Sequence, residues 1–211
     1  MIILAARPGQ GKSSFAEDLG IRWAKQGLPV PYLSQEMPED EVGDRGLSNV
    51  GRIEYGHMRK GRLREDEAWS RLSEAVEVLN SLPFYVDDQP ALTLTEVRTK
   101  ARMVKGSKVL ILDYLQLCSG SGDNRNAEIE VISPGLKTLA KELGIVVAAL
   151  SQLNRKVEER ADKRPHLADL RDSGAIEQDA DVVIFLWPVS KFADYRIQGC
   201  YIAKNRQGPK P

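Results

Sequence analysis

The start of the chain places a glycine-rich turn directly between two segments of different periodicity. Residues 1–5 form a short apolar run that predicts a buried strand, and residues 13–26 predict an amphipathic helix that Gly27 ends. The turn reads Ala-Arg-Pro-Gly-Gln-Gly-Lys-Ser, which has the spacing of a phosphate-binding loop except for alanine in place of the usual first glycine. This order predicts an α/β fold whose first helix begins at an anion site.

The predicted loop carries the groups that a nucleoside triphosphate needs. Lys12 is expected to reach the β- and γ-phosphates, and the Ser13 hydroxyl is expected to coordinate Mg²⁺. The alternative is a glycine-rich turn followed by an incidental Lys-Ser pair, which the strand–turn–helix context disfavours. The residues assigned to nucleotide binding are Ala6, Arg7, Pro8, Gly9, Gln10, Gly11, Lys12, Ser13 and Ser14.

The remainder of the chain alternates between apolar runs and helical patterns. Further strands are predicted over residues 30–33, 84–86, 108–113, 145–150, 182–186 and 197–203, and further helices over 65–79, 93–104 and 136–143. The helix over 65–79 has Trp69, Leu72, Val76 and Leu79 in register, which predicts a buried face. Strands that are apolar throughout predict a mostly parallel sheet with helices on both faces.

Length and composition exclude several classes of protein. The 211 residues carry 30 basic and 30 acidic side chains and are 42% hydrophobic, which is typical of one globular domain and not of a disordered chain. The sequence has no long apolar run, no secretory signal and only two cysteines, so we expect no membrane span and a reducing cytoplasm. Local charge is uneven, at −5 over residues 34–44 and +4 over 52–64, and both runs are interpreted as solvated faces.

Acidic residues at strand ends are the candidates for metal binding and for general-base catalysis. Asp113 ends the most apolar strand, as the acid of a Walker B element does, and is expected to hold Mg²⁺. The next residue is Tyr114, whereas many such ATPases have a glutamate base there, so the base must come from another strand end. Glu36 is the best candidate, because parallel strands gather their carboxyl ends at one edge. On position alone, a solvated surface acid is an equally good interpretation of Glu36.

Two further segments carry polar groups suited to phosphates. Gln152 follows a buried strand, where its amide can contact a γ-phosphate and report its loss. The segment from Leu170 to Gly174 is small and charged, and Arg171 with nearby N–H groups suits a phosphodiester backbone. The two histidines lack partners at metal-ligand spacing, so no metal other than Mg²⁺ is predicted.

Together these motifs resemble the RecA-like ATPase domain of the DnaB family of replicative DNA helicases. Besides the phosphate loop, the matching stretches are Leu33-Ser-Gln-Glu-Met37, Leu112-Asp-Tyr-Leu-Gln-Leu117, Ala149-Leu-Ser-Gln-Leu-Asn-Arg155, Lys163-Arg-Pro165, Leu170-Arg-Asp-Ser-Gly-Ala-Ile-Glu-Gln-Asp-Ala-Asp181 and Ala203-Lys-Asn-Arg-Gln-Gly-Pro209. The resemblance implies a RecA-like P-loop fold, with ATP and Mg²⁺ as cofactors. It also implies a hexameric ring that translocates on single-stranded DNA and unwinds duplex, in the cytoplasm of a bacterium or a phage-infected host. Primase and a helicase loader are further partners that it suggests.

The resemblance also implies roles for residues whose spacing alone says little. Glu36 would activate the attacking water, Arg45 would sit near the γ-phosphate of the same subunit, and Gln152 would sense that phosphate. Lys204 and Arg206 would reach the nucleotide of the neighbouring subunit. The DNA-contacting loop would include Arg171, Asp172 and Gly174, with Asp172 in place of the more usual glutamate.

Two alternatives to a helicase motor stay open at this stage. One is a RecA/KaiC-like ATPase without unwinding activity, and the other is a non-catalytic ring or loader component that binds nucleotide structurally. The sequence is expected to form a single motor domain over residues 1–211, without the N-terminal domain and linker helix of the family and with a shortened C-terminal end.

Overall fold

A computed structural model describes residues 1–63, 66–120, 122, 124–170, 174–191 and 196–209. Within these residues, seven strands form one sheet in the order β3-β2-β4-β5-β1-β6-β7. The strands are β1 Ile2–Ala6, β2 Val30–Ser34, β3 Phe84–Asp87, β4 Val109–Asp113, β5 Val146–Gln152, β6 Val182–Lys191 and β7 Arg196–Asn205. The helices are α1 Lys12–Lys25, α2 Glu39–Gly51, α3 Tyr55–Arg59, α4 Asp66–Ser81, α5 Leu94–Met103, α6 Arg125–Leu143 and α7 Gly174–Asp179.

The sheet is parallel from β3 to β6, and β7 runs antiparallel to β6. The carboxyl ends of β1, β2, β4 and β5 therefore meet at one edge, here called the carboxyl edge. The opposite edge, where these strands begin, is here called the amino edge. Because β7 is antiparallel, its last residues lie at the amino edge. The prediction of a mostly parallel sheet is confirmed.

Helices cover both faces of the sheet, as the sequence predicts. Alternate strand residues such as Ile3 and Leu110 pack with α5, α6 and α7 on one face, and residues such as Leu4 and Ile111 pack with α1 and α2 on the other. On α1 the sheet-facing stripe is made of small side chains, and a Cβ atom at Gly20 would lie 2.8 Å from Phe84. The small stripe brings the first helix, and the loop before it, close to the strands.

Two local expectations differ from the structure. Trp69 and Val76, predicted to be buried on α4, are 53% and 39% exposed, because α4 packs on α2 through Ala68 and Ala75 instead. The helix predicted over 136–143 begins at Arg125, because Asn124 caps it and the helix continues through Pro134. The acidic run over 34–44 is interpreted as a solvated face, and Glu36, Glu39 and Asp40 are indeed exposed, although no sequence pattern predicts that α2 begins at Glu39. Among the described residues, no helix is both long enough and apolar enough to cross a membrane.

Candidate active site

The loop between β1 and α1 wraps around the start of the helix. Gly9 and Gly11 have φ angles of +71° and +73°, in the left-handed region that glycine adopts without strain. The backbone N–H of Gln10 donates to the backbone carbonyl of Arg7 at 3.2 Å, which closes the turn. In this described part of the chain, no acidic side chain lies in the first turn of α1 and no side chain caps it. Its N–H groups and its positive end are therefore available to an anion.

A cleft of about 160 Å³ opens at the carboxyl edge over this loop. It brings together residues from the ends of four strands and from two helices. They are Arg7, Pro8, Gly9, Gly11, Lys12, Ser13, Ser14, Glu36, Met37, Arg45, Tyr114 and Gln152. Of the nine residues assigned to the phosphate loop, Ala6 is buried within the sheet, and Gln10 lines a smaller neighbouring cavity beside Arg7.

Lys12 stands in the cleft between an aromatic ring and two acids. Its Nζ lies 4.2 Å from the centroid of the Tyr114 ring, a cation–π contact. Burial lowers the pKa of Lys12, while Asp113 and Glu36 act to raise it. A partly desolvated ammonium gains strongly from an arriving polyanion, because the phosphates replace the hydration that burial has removed.

Asp113 is fully buried at the end of β4, and the structure leaves one of its oxygens unmatched. Its Oδ2 accepts a hydrogen bond from the Tyr32 hydroxyl at 2.8 Å. Among the described residues, its Oδ1 has no hydrogen-bond partner. A buried carboxylate oxygen without a partner is costly, unless a cation or its water shell completes the site. Asp113 and the Ser13 hydroxyl therefore fit the oxygen ligands that Mg²⁺ prefers.

Glu36 and Arg45 come from β2 and the helix that follows it. The backbone N–H of Gln35 donates to the backbone carbonyl of Asp113 at 2.7 Å. This bond continues the β2–β4 ladder and leaves Glu36 exposed at the cleft. Arg45 donates to Glu41 Oε1 at 2.7 Å and to the Ser14 hydroxyl at 3.3 Å, so its guanidinium sits beside the phosphate loop. Both residues line the cleft above the phosphate loop.

Lys204 and Arg206 lie at the amino edge, away from the cleft. Lys204 pairs with Val183, which pairs with Ile3, so it stands roughly 10 Å along the strands before the end of β1. Its Nζ donates to the carbonyls of Glu177 and Gln178 at the end of α7, and Arg206 also donates to Gln178. Neither cation faces the nucleotide site of its own chain.

The predicted DNA-contacting loop is only partly visible in the described residues. Gly174 begins α7, whereas Arg171 and Asp172 lie outside the described residues. The end of α7, on the other hand, carries the carbonyls that hold Lys204 and Arg206. The proposed DNA loop and the two proposed neighbour-facing cations therefore flank the same short helix.

Two buried polar residues beside the cleft escaped the sequence analysis. Tyr32 donates to Asp113, and burial together with that acid raises its pKa well above the usual range. Glu17, on α1, is 2% exposed, and burial raises its pKa to about 8. Tyr32 lies in a predicted strand and Glu17 in a predicted helix. The periodicity that predicts these elements does not indicate that either side chain is a buried polar group beside a site. A larger cavity of about 450 Å³, lined by Arg52, His57 and other residues, lies apart from the motif residues.

Comparison with protein families gives a match over the whole chain. The model described as DnaB-like helicase C terminal domain matches residues 1–211. The replicative DNA helicase DnaB of Leifsonia xyli subsp. xyli is 43% identical over 219 residues, which cover 99% of this chain. The replicative DNA helicase DnaC of Bacillus subtilis is 41% identical over 220 residues, again covering 99% of this chain. The chain spans 48% of each of these relatives, about half their length.

Solved structures agree in fold. A DnaB-like replicative helicase, described with its interactions with primase, has a TM-score of 0.93 and 35% identity; the match covers 99% of this chain and 53% of that one. A second solved structure, described as an ATPase domain, has a TM-score of 0.92 and 34% identity, and the match covers 99% of this chain and 78% of that one.

Proposed function

Because the chain belongs to the DnaB-like helicase C-terminal domain family, we propose that it is an ATP-dependent helicase motor. In this proposal it hydrolyses ATP to translocate on single-stranded DNA and to unwind duplex, as a subunit of a hexameric ring. The observation that carries the proposal is the cleft, which unites Lys12, Glu36 and Gln152 above a buried Asp113 oxygen that lacks a partner among the described residues.

The proposed chemistry assigns one task to each group in the cleft. Lys12 and the N–H groups at the start of α1 hold the phosphates, and Ser13 with Asp113 would hold Mg²⁺, which supplies charge neutralisation at the β- and γ-phosphates. The Glu36 carboxylate accepts the proton of the attacking water. Gln152 contacts the γ-phosphate, and Arg45 stabilises charge beside it.

The same proposal requires a second copy of the chain. Lys204 and Arg206 lie at the edge opposite the cleft, so they can act on a γ-phosphate only in a neighbouring subunit. A head-to-tail contact of this kind places the amino edge of one chain against the cleft of the next, and repeated contacts close into a ring. In replication such a ring would also meet a primase and a loader, in the cytoplasm of a bacterium or a phage-infected host.

DNA binding is assigned to the segment that leads into α7 and to the first residue of that helix. Arg171, Asp172 and Gly174 would contact the phosphodiester backbone of a single strand, with Arg171 supplying the charge. Such contacts tolerate any base sequence and weaken with salt. The net charge of the chain is zero, so binding depends on this local segment and not on a broadly basic surface.

The test is ATP turnover at several protein concentrations, with and without single-stranded DNA. Stimulation by DNA supports the motor, and strand displacement from a forked duplex completes the assignment. Hydrolysis without displacement would indicate a RecA/KaiC-like ATPase. Nucleotide binding without any hydrolysis would indicate a structural ring or loader component.

A further inference from the structure

The strands that carry Asp113 and Gln152 do not end at the same level of the sheet, because β5 extends further at the carboxyl edge than β4 does. β4 and β5 pair from Val109↔Val146 to Leu112↔Ala149, and β4 stops one residue later. β5 continues to Gln152, which pairs with Ala6 of β1 on its other side. The last residues of β5 therefore have strand backbone on one side and a gap on the side of β4.

The gap leaves a backbone donor that must be satisfied. Leu153 N–H donates to the Ala6 carbonyl of β1 at 3.1 Å, so the preceding N–H, that of Gln152, points towards the gap. A part-buried N–H without a partner would cost free energy. Gln116 Oε1 accepts this N–H at 3.1 Å, and Gln116 Nε2 donates to the Ser151 hydroxyl at 2.8 Å.

Gln116 is itself fixed at both ends. It lies in the short 3₁₀ helix Leu115–Leu117, which begins two residues after Asp113, and the preceding Leu115 is fully buried. Its own carbonyl accepts a hydrogen bond from Arg125 in the first turn of α6, and Arg125 is paired with Glu128. The side-chain amide thus has little freedom, so it can serve as a rigid bracket between the two strand ends.

We infer that Gln116 is a positioning residue for Gln152, which holds the proposed γ-phosphate sensor at a fixed place relative to the strand of Asp113. The inference rests on the proposed function, because Gln152 has a task only if the cleft hydrolyses ATP. Among the described residues that line the cleft Gln116 is absent, so it acts through Gln152 and not on the nucleotide. The side-chain amide of Gln116 takes the place of the missing strand backbone. Its oxygen accepts from Gln152 N–H and its nitrogen donates to Ser151.

The position of Gln116 predicts that its loss affects turnover more than binding. Phosphate binding depends on Lys12 and the loop before it, whereas the hydrogen bonds given above for Gln116 go to the end of β5 and to Arg125. A displaced Gln152 amide, in contrast, loses contact with the γ-phosphate where charge develops during transfer. Two lost hydrogen bonds in the lower part of the ordinary range of strength correspond to about a tenfold loss of kcat.

A double-mutant cycle tests the inference in the full chain with ATP and single-stranded DNA. Gln116→Met keeps the length of the side chain and removes both hydrogen bonds, and Gln152→Ala removes the sensor. Ser151→Ala is a second variant, which loosens the Gln116 amide without changing Gln116. Gln89→Met is the matched control, because Gln89 is an exposed amide that donates to Glu96 at 2.9 Å on the surface.

We expect Gln116→Met to lower kcat about tenfold, with the affinity for a fluorescent ATP analogue changed less than twofold. Ser151→Ala should lower kcat by a smaller factor, and Gln89→Met should match the parent. The double variant Gln116→Met/Gln152→Ala should be no slower than Gln152→Ala alone, because the two residues act as one unit.

Losses that multiply in the double variant, or an affinity loss that parallels the turnover loss, would overturn the positioning role. Equal kcat for the parent, Gln116→Met and Ser151→Ala would overturn it as well. A parent chain that hydrolyses no ATP under any condition would overturn the proposed function and this inference together. Turnover by the parent with multiplying losses overturns the inference alone.

Discussion

Beside the cleft, two carboxyl groups are buried with an oxygen that has no hydrogen-bond partner among the described residues, Asp113 Oδ1 and Glu17 Oε1. At the amino edge, by contrast, Asp181 is surrounded by cations: Lys137 and the Met1 amino group donate to it, and Arg206 lies 3.8 Å away. Burial raises the pKa of Glu17 to about 8. Burial would also raise the pKa of Asp181, but the hydrogen bonds from Lys137 and Met1 lower it to about 2.

The difference lies between buried carboxyl oxygens that lack a partner among the described residues and a surface carboxylate that is paired with cations. Groups left unmatched in a desolvated cleft are preorganised, since a bound nucleotide and cation need not first displace protein partners. The amino edge instead holds Lys204 and Arg206 on the neutral carbonyls of α7, which a phosphate can replace. Under the proposed function, each chain would contribute its cleft to one nucleotide site and its amino-edge cations to a second.

Lys12→Ala should have the largest effect, because it removes the charge that faces the phosphates in the cleft. We expect nucleotide binding to be lost, as measured by titration with a fluorescent ATP analogue. Lys25→Ala, at the exposed end of the same helix, should bind like the parent. If Lys12→Ala binds nucleotide at parent affinity, the nucleotide binds outside the cleft. The unpartnered groups at the carboxyl edge would then not mark a nucleotide site.

Glu36→Gln should come next, with binding retained and turnover reduced by at least about 100-fold, because the amide keeps the shape and loses the base. Steady-state ATP hydrolysis measures the effect, and Glu39→Gln, an exposed acid in the first turn of α2, is the control. If Glu36→Gln hydrolyses ATP at the parent rate, the base is another acid.

The raised pKa of Glu17 predicts that stability depends on pH. The folded chain binds a proton between about pH 4.5 and 8 that the unfolded chain releases, so this contribution is complete below 4.5 and is lost as pH rises through 8. The free energy of unfolding should fall by a few kcal/mol at most over this range.

Urea unfolding of the parent, of Glu17→Gln and of the exposed control Glu77→Gln measures this dependence. The slope between pH 5 and 8 should flatten in Glu17→Gln and persist in Glu77→Gln. If the free energy of unfolding of Glu17→Gln has the same pH slope as that of the parent, Glu17 is ionised in the folded chain. Nearby cations would then offset its burial, as Lys137 and Met1 do for Asp181.

Arg171→Ala should have the smallest effect, a weakening of single-stranded DNA binding by several-fold that is about equal for all sequences. The slope of log affinity against log salt should become shallower by about 0.7, the value for one phosphate contact. Fluorescence anisotropy with oligonucleotides of different composition measures both, with Arg22→Ala, an exposed arginine of α1, as control. A loss that depends strongly on base sequence would contradict backbone contact.

The sequence predicts those parts of the fold that depend on local patterns. The Thr93–Glu96 capping box marks the start of α5, and the apolar run before Asp113 marks β4, because both signals lie within a few residues. Trp69 was predicted to be buried and is exposed, since periodicity cannot tell which face of α4 packs on α2.

The candidate site likewise has residues that the sequence predicts and features that only the structure shows. Motif spacing predicts Lys12, Ser13 and Asp113. The strand-end positions of Glu36 and Gln152 predict only that they lie near the cleft, and the resemblance supplies their expected roles. The bracket role of Gln116 could not be predicted, since it depends on β4 ending before β5. Likewise, only the antiparallel direction of β7 shows that Lys204 lies opposite the cleft.

The most direct test of the account is complementation between two inactive chains. Arg206→Ala keeps the cleft and lacks the neighbour-facing cation, and Lys12→Ala lacks the cleft and keeps that cation. A cation supplied by a neighbour is worth on the order of 10³–10⁵ in rate in the best-known cases. We therefore expect each variant alone to be nearly inactive, their mixture to recover part of the parent activity, and turnover per parent subunit to rise with concentration. No recovery in the mixture, with turnover per subunit that stays flat, would contradict the account and leave a self-contained monomeric ATPase.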